Sequence, residues 1–138
     1  MSEEVSLVVR GPEDVVSFLD ACGVLSGASV QVLLGLAVTE SDPLAHTICG
    51  AALRSGADAA CPIDGEQLVD LADELLVGAV VLATVEPGTG NRPERPELTQ
   101  FVALRRRCAD AGVVLLDWIV CRGERWWSLR ELVIQQAA

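Results

Sequence analysis

Three glutamates, Glu86, Glu94 and Glu97, crowd one short stretch of this chain, V-E-P-G-T-G-N-R-P-E-R-P-E, with Arg92 and Arg95 between them. Carboxylates at this spacing have two chemical uses. As an all-oxygen donor set they suit Mg²⁺, Ca²⁺ or Mn²⁺ better than zinc, and a cation so held can activate water for hydrolysis. As ordinary side chains of a solvated loop they pair with Arg92 and Arg95, each pair contributing about 0–1 kcal/mol. The second use asks for nothing further from the chain. The first would also need a general base.

Other catalysts are poorly supplied. His46 is the single histidine, so any Ser-His or Cys-His arrangement must use it. It lies in the apolar stretch L-A-H-T-I-C without a nucleophile motif nearby and reads as a structural, hydrogen-bonded histidine. Gly88-Thr89-Gly90 is a faint phosphate-loop pattern, but that loop requires a lysine and the chain has none. Schiff-base chemistry is excluded for the same reason. Trp126 and Trp127 are adjacent on an expected strand and therefore point to opposite faces. One is expected to pack inward and the other to be exposed or to meet a partner, since tryptophan is enriched at interaction hot spots.

Composition narrows the field further. The chain has 138 residues, 51% of them apolar and 22% charged, which suits one globular domain with a real core. Twenty acidic against ten basic side chains give a net charge of −10, which opposes binding to nucleic acid. The cluster Arg105, Arg106, Arg107 reads as a solvated helix face. The uncharged run from Ala21 to Thr39 is broken by Gly23, Gly27, Gly35 and polar residues, so a membrane span is not expected. The N-terminus, M-S-E-E-V, is acidic where a secretory signal is basic. Five cysteines form no C-x-x-C pair, which points to reduced thiols in a cytoplasmic protein.

The elements that must carry these residues follow from periodicity. V-S-L-V-V-R (5–10) reads as a strand, and Pro12 opens a helix bearing Val15, Val16, Phe18 and Leu19. S-V-Q-V-L-L-G-L-A-V (29–38) is a strand, and a further strand is expected near His46 to Ala51. Asp64 caps a helix through Leu76 with Leu68, Leu71, Ala72 and Leu75 on its apolar face. G-A-V-V-L-A-T-V (78–85) is a buried strand that delivers the glutamate loop. A helix from Pro96 or Glu97 to before Gly112 presents Leu98, Phe101, Leu104 and Cys108. V-V-L-L-D-W-I-V (113–120) and R-W-W-S-L (125–129) make a terminal hairpin. Alternating helices and strands predict an α/β fold: one domain with a mixed β-sheet flanked by helices.

The blocks A-T-V-E-P-G (83–88), A-G (111–112), L-L-D-W (115–118) and G-E-R-W-W-S-L (123–129) fall in an order and spacing that resembles the RadC-like branch of the JAB/MPN metalloprotease family. That family carries H-x-H-P-S-G after a buried strand, then a serine and an aspartate, A-G, L-L-D-H, and G-R-Y-x-S-L. The resemblance implies a JAB/MPN fold of cytidine-deaminase-like type over residues 1–138, clearest over 78–131. It also implies where a zinc site would stand. Thr84 and Glu86 occupy the positions of the two ligand histidines, Glu97 that of the ligand aspartate and Glu94 that of the serine. Trp118 replaces the histidine after L-L-D, and no Asp or Glu lies between Ala21 and Thr39, where the family's catalytic glutamate would be. A threonine hydroxyl cannot replace an imidazole on zinc.

The reading is therefore a catalytically inactive, metal-free JAB-like domain, with no cofactor and zinc expected absent. It would serve as a protein-binding module, with an unknown protein partner or as a homodimer. The expected surface comprises Glu86, Arg92, Glu94, Arg95, Trp118, Trp126 and Trp127. The alternatives are a divalent-metal hydrolase rebuilt on Glu86, Glu94 and Glu97, and a DNA-associated accessory protein, which the charge opposes.

Overall fold

The computed structural model describes residues 7–25, 29–39, 42–55, 63–87 and 91–137. They form a mixed α/β fold of six strands in one sheet and four helices. In chain order these are β1 (Val8–Val9), α1 (Pro12–Ala21), β2 (Val30–Thr39), β3 (Asp42–Ser55), α2 (Gly65–Leu75), β4 (Ala79–Glu86), α3 (Arg95–Asp110), β5 (Val114–Arg122), β6 (Arg125–Ser128) and α4 (Leu129–Ala137). The strand order across the sheet is β1-β3-β2-β4-β5-β6.

Short connections join two of the five strand pairs, β2–β3 and β5–β6. β2 runs antiparallel to both β3 and β4, and β5 and β6 form the expected antiparallel hairpin. β4 and β5 are parallel, as a strand-helix-strand crossover through α3 requires. Strand β3 is longer than the expected His46–Ala51, because Asp42 to Ser55 pairs along nearly the whole length of β2. Of the expected first strand, residues 5 and 6 and Gly88-Thr89-Gly90 of the loop lie outside the described residues.

The sheet buries both faces. On one lie α2, α3 and α4, contributing Leu68, Ala72, Leu98, Phe101, Leu104, Cys108, Leu129 and Leu132 against Leu33, Val80, Leu82, Leu115 and Val120. On the other lies α1, whose Val15 and Leu19 meet Val32, Leu34, Leu36, Val81, Ala83 and Ile119. Phe101 and Leu68 are fully buried. Each such side chain contributes about 1.5–3 kcal/mol relative to exposure. The helical spacings read from the sequence therefore face the core as expected, with Asp70, Asp73 and Glu74 on the outer side of α2.

Local chemistry fixes the helix ends. The Asp64 carboxylate accepts from the Gln67 N–H at 2.8 Å, and the Gln67 side chain accepts from the Asp64 N–H at 3.1 Å, a reciprocal cap. Where α2 ends, Leu75 and Val77 press on the paired glycines Gly35 and Gly50 of β2 and β3; a Cβ on Gly35 would lie 3.0 Å from the Val77 side chain. Helix α4 was not expected from the sequence pattern. Its signal is S-L-R-E, in which the Glu131 N–H donates to Ser128 Oγ at 3.2 Å.

Candidate functional site

Strand alternation places Thr84 and Glu86 on one face of β4. The parallel register sets Glu86 opposite Arg122 of β5, and the first turn of α3 brings Glu97 over both. The guanidinium of Arg122 is the centre of the arrangement. Its Nε donates to Glu86 Oε2 at 2.7 Å, Nη2 donates to Glu97 Oε1, and Nη1 donates to the Asn91 carbonyl at 3.0 Å. Glu97 Oε2 also accepts the Glu94 N–H at 2.7 Å, which ties the same carboxylate to the start of α3.

Arg122 is the most enclosed of the three, with 14% of its side chain exposed against 32% for Glu97 and 51% for Glu86. Burial works against its charge. The hydrogen bonds it donates to Glu97 and Glu86, and their negative charges, outweigh burial and hold the guanidinium above its ordinary pKa. The ion pairs expected with Arg92 and Arg95 are thus made by Arg122 instead. That residue was missed because its approach depends on parallel pairing with a strand more than thirty residues earlier.

Behind this triad the polar residues are also partnered. Trp118 Nε1 donates to Thr84 Oγ1 at 3.0 Å, and both residues are 8% exposed. Gln31 of β2 faces Thr84 across the ladder, is 5% exposed, and accepts from Arg54 Nη1 at 3.1 Å. An uncharged amide therefore stands beside Thr84, where the sequence offered no acid. Among the described residues no three His, Cys, Asp or Glu side chains are grouped as metal donors. The rebuilt set of Glu86, Glu94 and Glu97 is not assembled: a guanidinium joins two of the three, and Glu94 heads α3 as its first capping residue.

In front of Arg122 lies an open cleft of about 340 Å³, walled by Glu86, Pro87, Asn91, Arg92, Glu94, Pro96 and Glu97. Arg92 and Glu94 are exposed along it, and Arg95, which does not line it, is exposed on the first turn of α3. The tryptophans sit elsewhere. Trp118 is buried and is not presented at the surface. Trp126 and Trp127 do face opposite sides, but each is half-buried against a different half of the core, so neither ring stands free. Trp127 is further covered by Arg125, whose guanidinium lies 4.9 Å from the ring centre.

A second polar cluster surrounds Asp117, which is 8% exposed. Its carboxylate accepts from Ser128 Oγ at 2.6 Å, the Trp118 N–H at 2.7 Å and the Arg130 N–H at 3.1 Å. Burial nevertheless raises its pKa, against the lowering effects of these bonds and of the Arg130 charge. The cluster joins β5, β6 and the start of α4. His46 is half-buried on β3.

No protein-family model matches this sequence, and no curated protein does either. What the site can do therefore rests on its geometry. The Arg122 guanidinium is held by two carboxylates at the back of the cleft. The wall of the cleft carries both charge signs and two prolines, Pro87 and Pro96. Among the described residues Cys22, Cys49, Cys108 and Cys121 are free thiols. No described helix is long and apolar enough to cross a membrane.

Proposed function

We propose that this chain is a RadC-like JAB/MPN domain that has lost its metal chemistry and acts as a protein-interaction or self-association module. The observation that supports this most is the Glu86–Arg122–Glu97 bridge. On the resemblance, two zinc-ligand positions are held by Glu86 and Glu97, and a side chain of the same protein satisfies both. The third position, Thr84, is occupied by the Trp118 indole N–H. Every group at the former centre is thus committed to a neighbour. The mixed sheet with a parallel β4-α3-β5 crossover is compatible with the fold the resemblance implies.

The contact surface in this reading is the cleft wall formed by Arg92 and Glu94 around Arg122, extended by the exposed Arg95 of α3 and by the half-buried Trp127 with the Arg125 that covers it. The test compares wild type with the charge-reversed variant Arg92→Glu/Arg95→Glu by light scattering and by affinity capture. The variant is expected to lose self-association or a reproducibly captured protein while keeping its melting temperature. Unchanged association and capture would remove the cleft from the proposal. Metal analysis of the untagged protein tests the pseudoenzyme half, because stoichiometric Zn²⁺ or Mn²⁺ lost on Glu86→Gln/Glu97→Gln substitution would favour the hydrolase.

A further inference from the structure

A wider cavity lies away from this cleft, near the N-terminal end of β5, and has a volume of about 610 Å³. Its floor is apolar and buried, made by Val15, Leu36, Val81 and Leu115. At its edge Leu44 and Val114 are 81% and 53% exposed, so apolar surface continues outward from the cavity.

Among the described residues that line it, the charge is inverted relative to the chain as a whole. Three of the chain's ten arginines, Arg10, Arg105 and Arg130, line it. Among the described residues Asp117 is the only acidic one that does. Both Asp117 oxygens already accept hydrogen bonds, from Ser128, Trp118 and Arg130. The nearby Asp14 carboxylate is bound to the backbone N–H of Arg10 at 2.7 Å. Arg105 lies 5.2 Å from the Phe101 ring centre, which limits the wandering of its stem.

A backbone irregularity marks the same place. In the β4–β5 ladder Val80 pairs with Leu115 but Val81 pairs with Asp117, so Leu116 is an extra residue, and it too lines the cavity. Bulges of this kind re-aim side chains and recur beside binding sites.

We propose that this cavity is a binding site for a small carboxylate with an apolar body, of the medium-chain fatty-acid class. The apolar floor takes the body, and Arg105 and Arg130 take the head. A carboxylate suits paired guanidinium donors in both charge and planar geometry, and the volume is that of a small-molecule pocket. An apolar cation would meet like charge at the rim and gain only the burial.

The test is calorimetric titration of the whole chain with sodium octanoate, alongside octylammonium and acetate. Octanoate is expected to bind saturably, octylammonium at least tenfold more weakly, and acetate not measurably. Arg105→Gln/Arg130→Gln is expected to weaken octanoate at least tenfold. Because Arg105 also covers Phe101, Leu44→Glu supplies a second variant at an exposed position, adding negative charge at the edge and likewise weakening octanoate. Failure of octanoate to bind, equal binding of octylammonium, or undiminished binding by Leu44→Glu would each overturn the proposal. The outcome is independent of the Glu86–Arg122 cleft.

Discussion

The indole N–H of Trp118 and the hydroxyl of Thr84 meet at 3.0 Å between two parallel strands, each residue 8% exposed. This one bond lies behind the Glu86–Arg122–Glu97 bridge. Trp118→Phe removes the donor and leaves a small void. The variant is expected to lose about 1–3 kcal/mol of stability by urea denaturation. Combined with Thr84→Val, part of that loss should be recovered, because the orphaned hydroxyl is gone; strict additivity would show that the bond contributes little.

Arg122→Ala leaves the carboxylates of Glu86 and Glu97 facing each other without their cation. Glu86 remains half in water, so the cost falls mainly on the more enclosed Glu97. A loss of about 1–2 kcal/mol is expected, reduced by high salt in the wild type more than in the variant. The same variant should show a thermal shift with Mn²⁺ or Mg²⁺ that wild type lacks, if the guanidinium stands where a cation would otherwise be held.

Asp117 gives the fold a pH dependence of definite sign. Its folded pKa lies above the ordinary value of 3.8, burial being the cause. Between those two values the folded protein keeps a proton that the unfolded chain has released. This contribution to stability is therefore complete below the ordinary value and lost as pH rises through the folded one. Relative to Asp117→Asn, wild type should weaken as pH rises from about 4 toward neutrality. A difference between the two proteins that does not change with pH would contradict this.

Thiol reactivity should divide along burial. Cys22 and Cys49 are exposed, whereas burial raises the pKa of Cys108 and pushes that of Cys121 up to about 11. Iodoacetamide at pH 8 is expected to label Cys22 and Cys49 in the native protein. Cys108 and Cys121 should be labelled only on unfolding, as read by peptide mass spectrometry.

Leu76 ends α2 in the left-handed region at φ 58°, with its side chain 91% exposed. It buries almost nothing to offset the backbone strain. Leu76→Gly is expected to stabilise the protein by roughly 0.5–1 kcal/mol, seen as a higher melting temperature.

Much of the framework was legible because it follows from local periodicity. Leu68 and Ala72, or Leu98, Phe101, Leu104 and Cys108, recur at helical spacing and face one core. The uncharged β-branched run of β4 marked a buried strand, and Asp64 marked a helix start. Helix α4 was not read from the sequence: its one local signal is the S-L-R-E cap, and it follows a strand without a break. The extent of β3 was not legible, because its small mixed residues become a strand only through pairing with β2.

The glutamate loop shows the same division at the site. Its residues, their charge and their position after a buried strand are properties of the sequence alone. Which cation they hold is not: Arg122 reaches Glu86 and Glu97 only through the parallel β4–β5 register. The inserted residue Leu116 also reverses the alternation of β5, so that Leu115 and Trp118 both face the α3 side and the indole reaches Thr84. A period-two pattern fixes which residues share a face only while the ladder is unbroken. Local chemistry determined the elements of this protein, and long-range pairing, with one added residue in a strand, decided which side chains meet.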